Sequence, residues 1–436
     1  MSPISAGPRR GCHTARSAIL SHPQAFLIGA AVTFLPLCAL SSAPVSNSAR
    51  GGPQSQSQTA GKLGKPKQLD KGVRWQRDPA TGELTLLRTA EPGEREGTGA
   101  SEVPALPRVL KGTRTQLVLI QCSVFGPDGA PLRGLTAKQF RVYDEESERP
   151  VEFFAAGAKE PARVALVIDA SPSVLPETEE MKQAADALVD GLAPADQVAV
   201  VDFSAHTYLQ TGFTGARDVL RKAVDRVDVR QLLGDTGGSN IYEAVYLTAH
   251  ELFEKEEGRK AIVLLTDGQD SGLGLTFNPA SALPRQGGTD DRLTFDDVAR
   301  ELAAKGIQVF VVSTETRPKI LTLDWFAAHR DITFLTLDDR KTGIPAYTLY
   351  LAEIVRRSAG DLYFLHESGT LAAAFGQIAE RVGSEYMLGV PPEPDGAGTA
   401  EPDAPRPGWH RLRVETVGAG QTTVIHRTSY YVPAEQ

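Results

Sequence analysis

A chain of 436 residues with 41% hydrophobic side chains is long enough for two or three folded units and too apolar to be disordered throughout. Its 46 basic and 54 acidic residues leave a formal charge of −8, and no dense basic run breaks that balance, which argues against nucleic acid as a partner. Of its 3 cysteines, Cys12 and Cys38 fall in the leader; a processed chain keeps only Cys122 and forms no internal disulfide.

Residues 1–41 read as a signal peptide or signal anchor. Arg9, Arg10 and Arg16 precede an apolar run over 25–40, no Asp or Glu lies before residue 42, and Ala39 and Ser41 suit cleavage before Ser42. The run is short for a full membrane span. Export is therefore expected, to a secreted, periplasmic or envelope-associated location, with membrane contact only through that N-terminal segment. Residues 42–107 are expected to be a flexible linker, since 42–70 are rich in Ser, Gly, Gln, Pro and Lys and 91–107 return to linker composition. Within it, 73–87 could make one isolated hairpin around a Pro/Gly turn, marginal on its own in water. Residues 108–158 carry strand-like runs at 116–125, 141–143 and 151–154, with a capped turn over 135–140. Cys122 lies in the first of these, as a small buried apolar residue.

From Ala162 the texture becomes an alternation of strand and helix. Parallel strands are expected at 164–168, 197–201, 261–265, 308–312 and 362–365. Helices are expected at 178–192, 216–227, 240–257, 295–305 and 347–358, with a last one at 371–382. Five parallel strands with crossovers predict a doubly wound, mainly parallel, Rossmann-like α/β sheet over 160–382, buried on both faces. Residues 383–436 return to β texture, with strands at 386–390, 409–415 and 422–432. The β-rich segments 108–158 and 383–436 each look incomplete, so they are expected to share one sandwich-like flanking unit.

Three motifs follow buried strands or open a helix. Asp169-x-Ser171-x-Ser173 leaves the first strand, Gly237-Gly-Ser-Asn-Ile241 precedes a helix, and Thr266-Asp-Gly268 leaves the third strand. Ligands of such sheets bind at the carboxyl ends of the strands, so these groups land on one rim. Asp169, Ser171, Ser173, Ser239 and Asp267 supply two carboxylates and three hydroxyls, an all-oxygen set that suits a small hard divalent cation: Mg²⁺, or Mn²⁺ or Ca²⁺ in its place. Neutral hydroxyls leave the ion able to take one more anion, such as an Asp or Glu carboxylate from a protein partner. Asp202 and Asp270 lie near the same rim as solvated or supporting residues, and Thr236 is the fallback hydroxyl. The 8 histidines form no HExxH or paired metal spacing, and no Gly-x-Ser-x-Gly elbow or phosphate-cradling loop is present, so no enzyme is expected.

On these motifs the chain resembles the von Willebrand factor A (VWFA) domain with its metal-ion-dependent adhesion site, over about residues 160–382. Asp169, Ser171 and Ser173 stand at the family's first motif, Ser239 where the family usually has Thr, and Asp267 at its third. Pro172 replaces a more usual Gly. The flanks, with Gly134-Leu-Thr-Ala-Lys-Gln-Phe140 and Arg427-Thr-Ser-Tyr-Tyr431, look like bacterial exported proteins described as VWFA-related. The resemblance gives a site rather than a role; with the leader it is read as an exported, metal-dependent protein-binding module, and the Gly/Pro/Asn-rich insert 272–292, close after Asp267, is the candidate partner-selecting loop. The rival readings are an envelope scaffold without metal-dependent binding and, behind it, a metal-dependent hydrolase.

Overall fold

The hydrophobic runs after residue 160 become adjacent strands of one sheet in the computed structural model. It describes residues 63–79, 82–89, 117–157, 161–232, 238–256, 258–273, 291–329, 332–337, 339–365, 371–383, 386–394 and 406–432. The expected leader, most of the expected linker, Thr236 and most of the 272–292 insert lie outside the described residues.

In chain order the strands are β1 (Lys67–Gln68), β2 (Val73–Arg77), β3 (Leu84–Arg88), β4 (Val118–Phe125), β5 (Phe140–Asp144), β6 (Ser147–Arg149), β7 (Phe153–Ala156), β8 (Ala162–Asp169), β9 (Gln197–Phe203), β10 (Thr207–Thr214), β11 (Arg259–Thr266), β12 (Ile307–Ser313), β13 (Asp361–Phe364), β14 (Tyr386–Val390), β15 (Gly408–Thr416), β16 (Thr423–His426) and β17 (Ser429–Val432). The central sheet has seven strands in the order β1-β10-β9-β8-β11-β12-β13. Parallel ladders join β9, β8, β11, β12 and β13. β8 sits in the middle and explains why its sequence is continuously apolar. Ala165 and Val167 face the helices Ile241–Leu252, Phe295–Lys305 and Ala346–Ser358. Val164, Leu166 and Ile168 face Thr178–Gly191, Arg217–Leu232 and Leu371–Gly383 on the other side. The period of two along a strand assigns those sides.

Two strands of this sheet were not expected. β10 returns antiparallel to β9 through the turn 204–206, and β1 adds two residues at its far edge, pairing Lys67 with Leu209 and Gln68 with Tyr208. The second of these overturns part of the linker assignment. Leu69 is fully buried, and the β2–β3 hairpin is not isolated but packed on the α/β domain. Trp75 meets Tyr246 edge-on with ring centroids 5.1 Å apart. Arg77 donates to both carboxylate oxygens of Asp297 at 3.1 and 2.7 Å, and Arg88 to Glu251. Burial pushes the Asp297 carboxyl up, but Arg77, Thr294 and Arg300 outweigh it and hold the group below its ordinary value. A charge so compensated favours the docked hairpin that a free hairpin could not sustain.

The two flanks build one β-sandwich, as their incompleteness suggested. One sheet runs β16-β4-β14-β7 and the other β17-β15-β5-β6, so each interleaves strands from both ends of the chain. Val118, Ile120, Cys122, Phe140, Val142, Leu388 and Val414 fill the space between them, and Cys122 is the buried small apolar residue expected. The single strand expected over 422–432 splits into β16 and β17, which belong to different sheets. The chain crosses over at Arg427, whose buried guanidinium donates to Leu119 O of the sandwich and to Ala303 O of the α/β domain at 3.2 Å. Burial pulls its pKa down to about 10. Arg356 donates to Thr428 Oγ1 at 3.2 Å, and Arg300 lies over the Tyr431 ring, so this crossover is also where the two units meet.

A polar group closes the sandwich core. Asp144 accepts hydrogen bonds from Tyr430 Oη, from Glu393 N at 2.8 Å and from His410 Nδ1 at 3.1 Å, while His410 Nε2 lies 2.6 Å from Arg406 O. Both partners of the ring are acceptors, which favours the doubly protonated, positively charged imidazole. Burial favours neutral forms for both residues, but the mutual bonds win. They hold Asp144 below its ordinary value and lift His410 above its own.

Candidate functional site

The parallel register brings three strand ends level. Ile168 pairs with Asp202 on one side and with Leu265 on the other, so Asp169, Phe203 and Thr266 finish together on the carboxyl rim. A buried apolar strand that ends in Asp places the carboxylate at the edge of the core rather than in water, and Asp169 is fully buried. Its oxygens are divided between two tasks. Oδ1 accepts the Ser171 N–H at 2.9 Å, which turns the chain sharply after the strand and brings Ser171 Oγ to 3.1 Å from Ser173 Oγ. Oδ2 accepts from Ser239 Oγ at 3.0 Å and from Thr266 Oγ1 at 2.7 Å. Asp169, Ser171, Ser173 and Ser239 are therefore gathered at one point by direct hydrogen bonds.

Asp267 completes the set through charge rather than through a bond. It is buried, and its Oδ1 accepts the Gln269 N–H at 2.9 Å; its Oδ2 is buried with no hydrogen-bond partner among the described residues. Burial raises the pKa of Asp169, hydrogen bonds from Ser171 and Thr266 work against that, and the nearby Asp267 charge adds to the rise. Two buried carboxylates that repel each other, one with an orphaned oxygen, form the environment a divalent cation relieves. The fit is thus to a cation with oxygen ligands. Among the described residues no group of three or more His, Cys, Asp and Glu could hold a metal. Ser173 is exposed and marks the open side of the site.

Of the two expectations for Asp202 and Asp270, solvated or supporting, burial excludes the first. Asp202 is buried, not solvated, and accepts from the Gln210 side chain across the β9–β10 hairpin. Asp270 is also buried, with Oδ2 accepting the Leu273 N–H at 2.7 Å. Burial pushes its pKa up to about 6, against backbone N–H groups of Leu273, Tyr242, Ile241 and Gly272 that hold it down. Thr266, which opens the third motif, has a role that its contacts reveal. Its hydroxyl donates to Asp169 and accepts the Gly268 N–H at 3.0 Å, joining the first and third motifs. The signal was present: a hydroxyl as the last residue of an apolar strand has no core to join.

Gly268 has a φ of +87°, and a Cβ there would meet Leu351 Cδ1 at 2.8 Å, so the third loop needs glycine for both conformation and space.

Comparison with known proteins places this geometry. Residues 164–332 match the von Willebrand factor type A domain family. No curated protein matches the chain. Among solved structures, an aerotolerance-related membrane protein from Bacteroides fragilis is 19% identical, with a TM-score of 0.34, over 51% of this chain and 98% of that one. BatB from Bacteroides thetaiotaomicron is 20% identical, with a TM-score of 0.36, over 51% of this chain and 98% of its own. A von Willebrand factor type A protein from Catenulispora acidiphila is 14% identical, with a TM-score of 0.34, over 73% and 75% respectively. The family match identifies residues 164–332 of this chain as a von Willebrand factor type A domain.

Proposed function

We propose that this chain is an exported protein-binding module whose grip on its partner depends on a divalent cation held by Asp169, Ser171, Ser173, Ser239 and Asp267. Domains of this family are protein-interaction modules that often carry a metal-ion-dependent adhesion site. The observation that carries the reading is the buried, partnerless Asp267 Oδ2 beside the buried Asp169 carboxylate. A Mg²⁺ ion, or Mn²⁺ or Ca²⁺, would neutralise both carboxylates and take oxygens from the three serines. Three of its ligands being neutral, the ion would keep an affinity for one further carboxylate, supplied by an Asp or Glu of a protein partner. The module would extend over 160–382 and be carried by the sandwich of 108–158 and 383–436, with the leader directing it out of the cytoplasm. The reading has no catalytic step: both rim carboxylates are ligands in it, and Asp270, the next along the loop, is buried and turned to the Leu273 N–H.

The test is retention of envelope proteins on the immobilised chain in Mg²⁺, in chelator, and by Asp169→Ala. Partner retention should disappear in chelator and in the variant, while circular dichroism shows both still folded. Retention that persists undiminished in chelator would replace this reading by that of a scaffold.

A further inference from the structure

Ser271 lies four residues beyond Asp267 and is not one of the proposed ligands, yet it grips the residue that supplies one. Its N–H donates to Ser239 O at 2.7 Å, and its hydroxyl both accepts the Ser239 N–H at 2.7 Å and donates to Ser239 O at 3.1 Å. Both backbone polar groups of Ser239 are thus held by one residue of the loop that carries Asp267. The approach is close on either side. Gly238, at a φ of +56°, would direct a Cβ to 2.7 Å from Ser271 Oγ, and a Cβ at Gly272 would come to 3.1 Å from Asn240 Oδ1. Beyond Ser239 the same stretch is tied to the loop after β9, through Asn240 N to Ser204 O and Asn240 Nδ2 to Ala205 O, each at 2.9 Å.

We propose that Ser271 is a positioning residue for the metal site, fixing the Ser239 backbone so that a serine hydroxyl reaches the ion without the methyl that would hold a threonine. The inference rests on the metal-binding reading above. A threonine side chain is stiff at χ1 because it is branched at Cβ; a serine is not. With Ser239 the stiffness has to come from elsewhere. The backbone is pinned from outside by Ser271, and the hydroxyl is then turned by its bond to Asp169 Oδ2. The clamp also makes the second and third motifs a single rigid piece, so Ser239 and Asp267 keep their separation when the ion leaves.

Mn²⁺ titrated into the full chain, with the free ion followed by electron paramagnetic resonance, tests the clamp. Ser271→Ala should weaken Mn²⁺ binding about 10- to 100-fold, as loss of a group that orients a ligand does, with its melting temperature in chelator unchanged. Ser271→Thr keeps the hydroxyl at an exposed position and should restore the affinity. Wild-type affinity in Ser271→Ala overturns the clamp and leaves the metal site standing. So does a Ser271→Thr variant as weak as Ser271→Ala, or a loss of affinity matched by a lower melting temperature in chelator. A wild-type chain that takes up no Mn²⁺ overturns the clamp together with the site.

Discussion

Replacing Asp267 by asparagine should change sign with the metal. In chelator the wild-type chain holds two buried carboxylates near each other, and Asp267 Oδ2 has no donor among the described residues. A buried polar group left unsatisfied costs about 1–3 kcal/mol, and a charged one more. The amide removes the charge and the repulsion of Asp169, and its oxygen still accepts the Gln269 N–H that Oδ1 now takes, while its NH₂ group sits unpaired where Oδ2 did, so only the charge is relieved. Asp267→Asn should therefore melt above wild type in chelator, by roughly 2–4 °C for a gain of about 1 kcal/mol from the lost charge in a domain of this size. Adding Mg²⁺ reverses the comparison. At tenfold its dissociation constant the ion adds about 1.4 kcal/mol to wild type, and at a hundredfold about 2.7 kcal/mol. The variant, short of one of two charged ligands, should gain almost nothing. Differential scanning calorimetry of both proteins in EDTA and across a Mg²⁺ series reads both limbs. A variant that melts below wild type in EDTA would show that the Asp267 carboxylate is satisfied by the fold, and the cation argument would lose its main support.

Two further outcomes follow from the regions around the site. The Asp144–His410 pair makes sandwich stability depend on pH in a definite direction. His410 is raised above its ordinary 6.5, so its contribution is full below that value and is lost as pH rises through the higher folded value; Asp144 is lowered from 3.8, so its contribution holds above that value and is lost as pH falls through the lower folded one. Melting temperature should peak between about pH 4 and 6.5, and His410→Gln should flatten the alkaline limb; an unchanged limb would place its cause in another group. For the hairpin, Trp75→Ala removes the contact with Tyr246 and should raise hydrogen exchange of the β2 and β3 amides while β8 and β11 stay protected. Equal deprotection of β8 would show that the hairpin is part of the core rather than docked on it.

What the sequence disclosed about the fold depended on how long each signal was. Helix 295–305 was legible to the residue from its helical period, and in the structure Thr294 and Asp297 form a reciprocal cap at its start. The five parallel strands were legible as apolar runs. β10 was not: Thr207–Thr214 mixes polar and apolar residues, as an outer strand covered on its far side only by β1 can. β1 has two residues, too few for any period, and lies in a stretch whose composition otherwise reads as a tether. The split of 422–432 was hidden for a different reason. The run reads as one strand, and the pairing of β16 with β4 and of β17 with β15 shows that the chain changes sheets there.

The site was legible where a motif repeats a spacing and hidden where the role depends on one contact. Asp169, Ser171 and Ser173 announce themselves by alternation after a buried strand; Thr266 and Ser271 are ordinary hydroxyls whose partners lie 97 and 32 residues away. Their arrangement bears on how ready the site is. Ser239 and Thr266 both spend their hydroxyl protons on Asp169 Oδ2, which leaves lone pairs on the Ser239 oxygen for an ion. Under the proposed reading Ser239 need not surrender its bond to Asp169 in order to ligate. Thr266 likewise keeps Asp169 in place from the strand side, and the Ser271 clamp keeps Ser239 in place from the loop side. What an ion must change is then electrostatic, the repulsion of Asp169 and Asp267 and the orphaned oxygen, rather than the course of the chain. A cation site built so should bind with little backbone movement, and its selectivity among Mg²⁺, Mn²⁺ and Ca²⁺ should follow how well a nearly fixed set of oxygens matches each ion's radius.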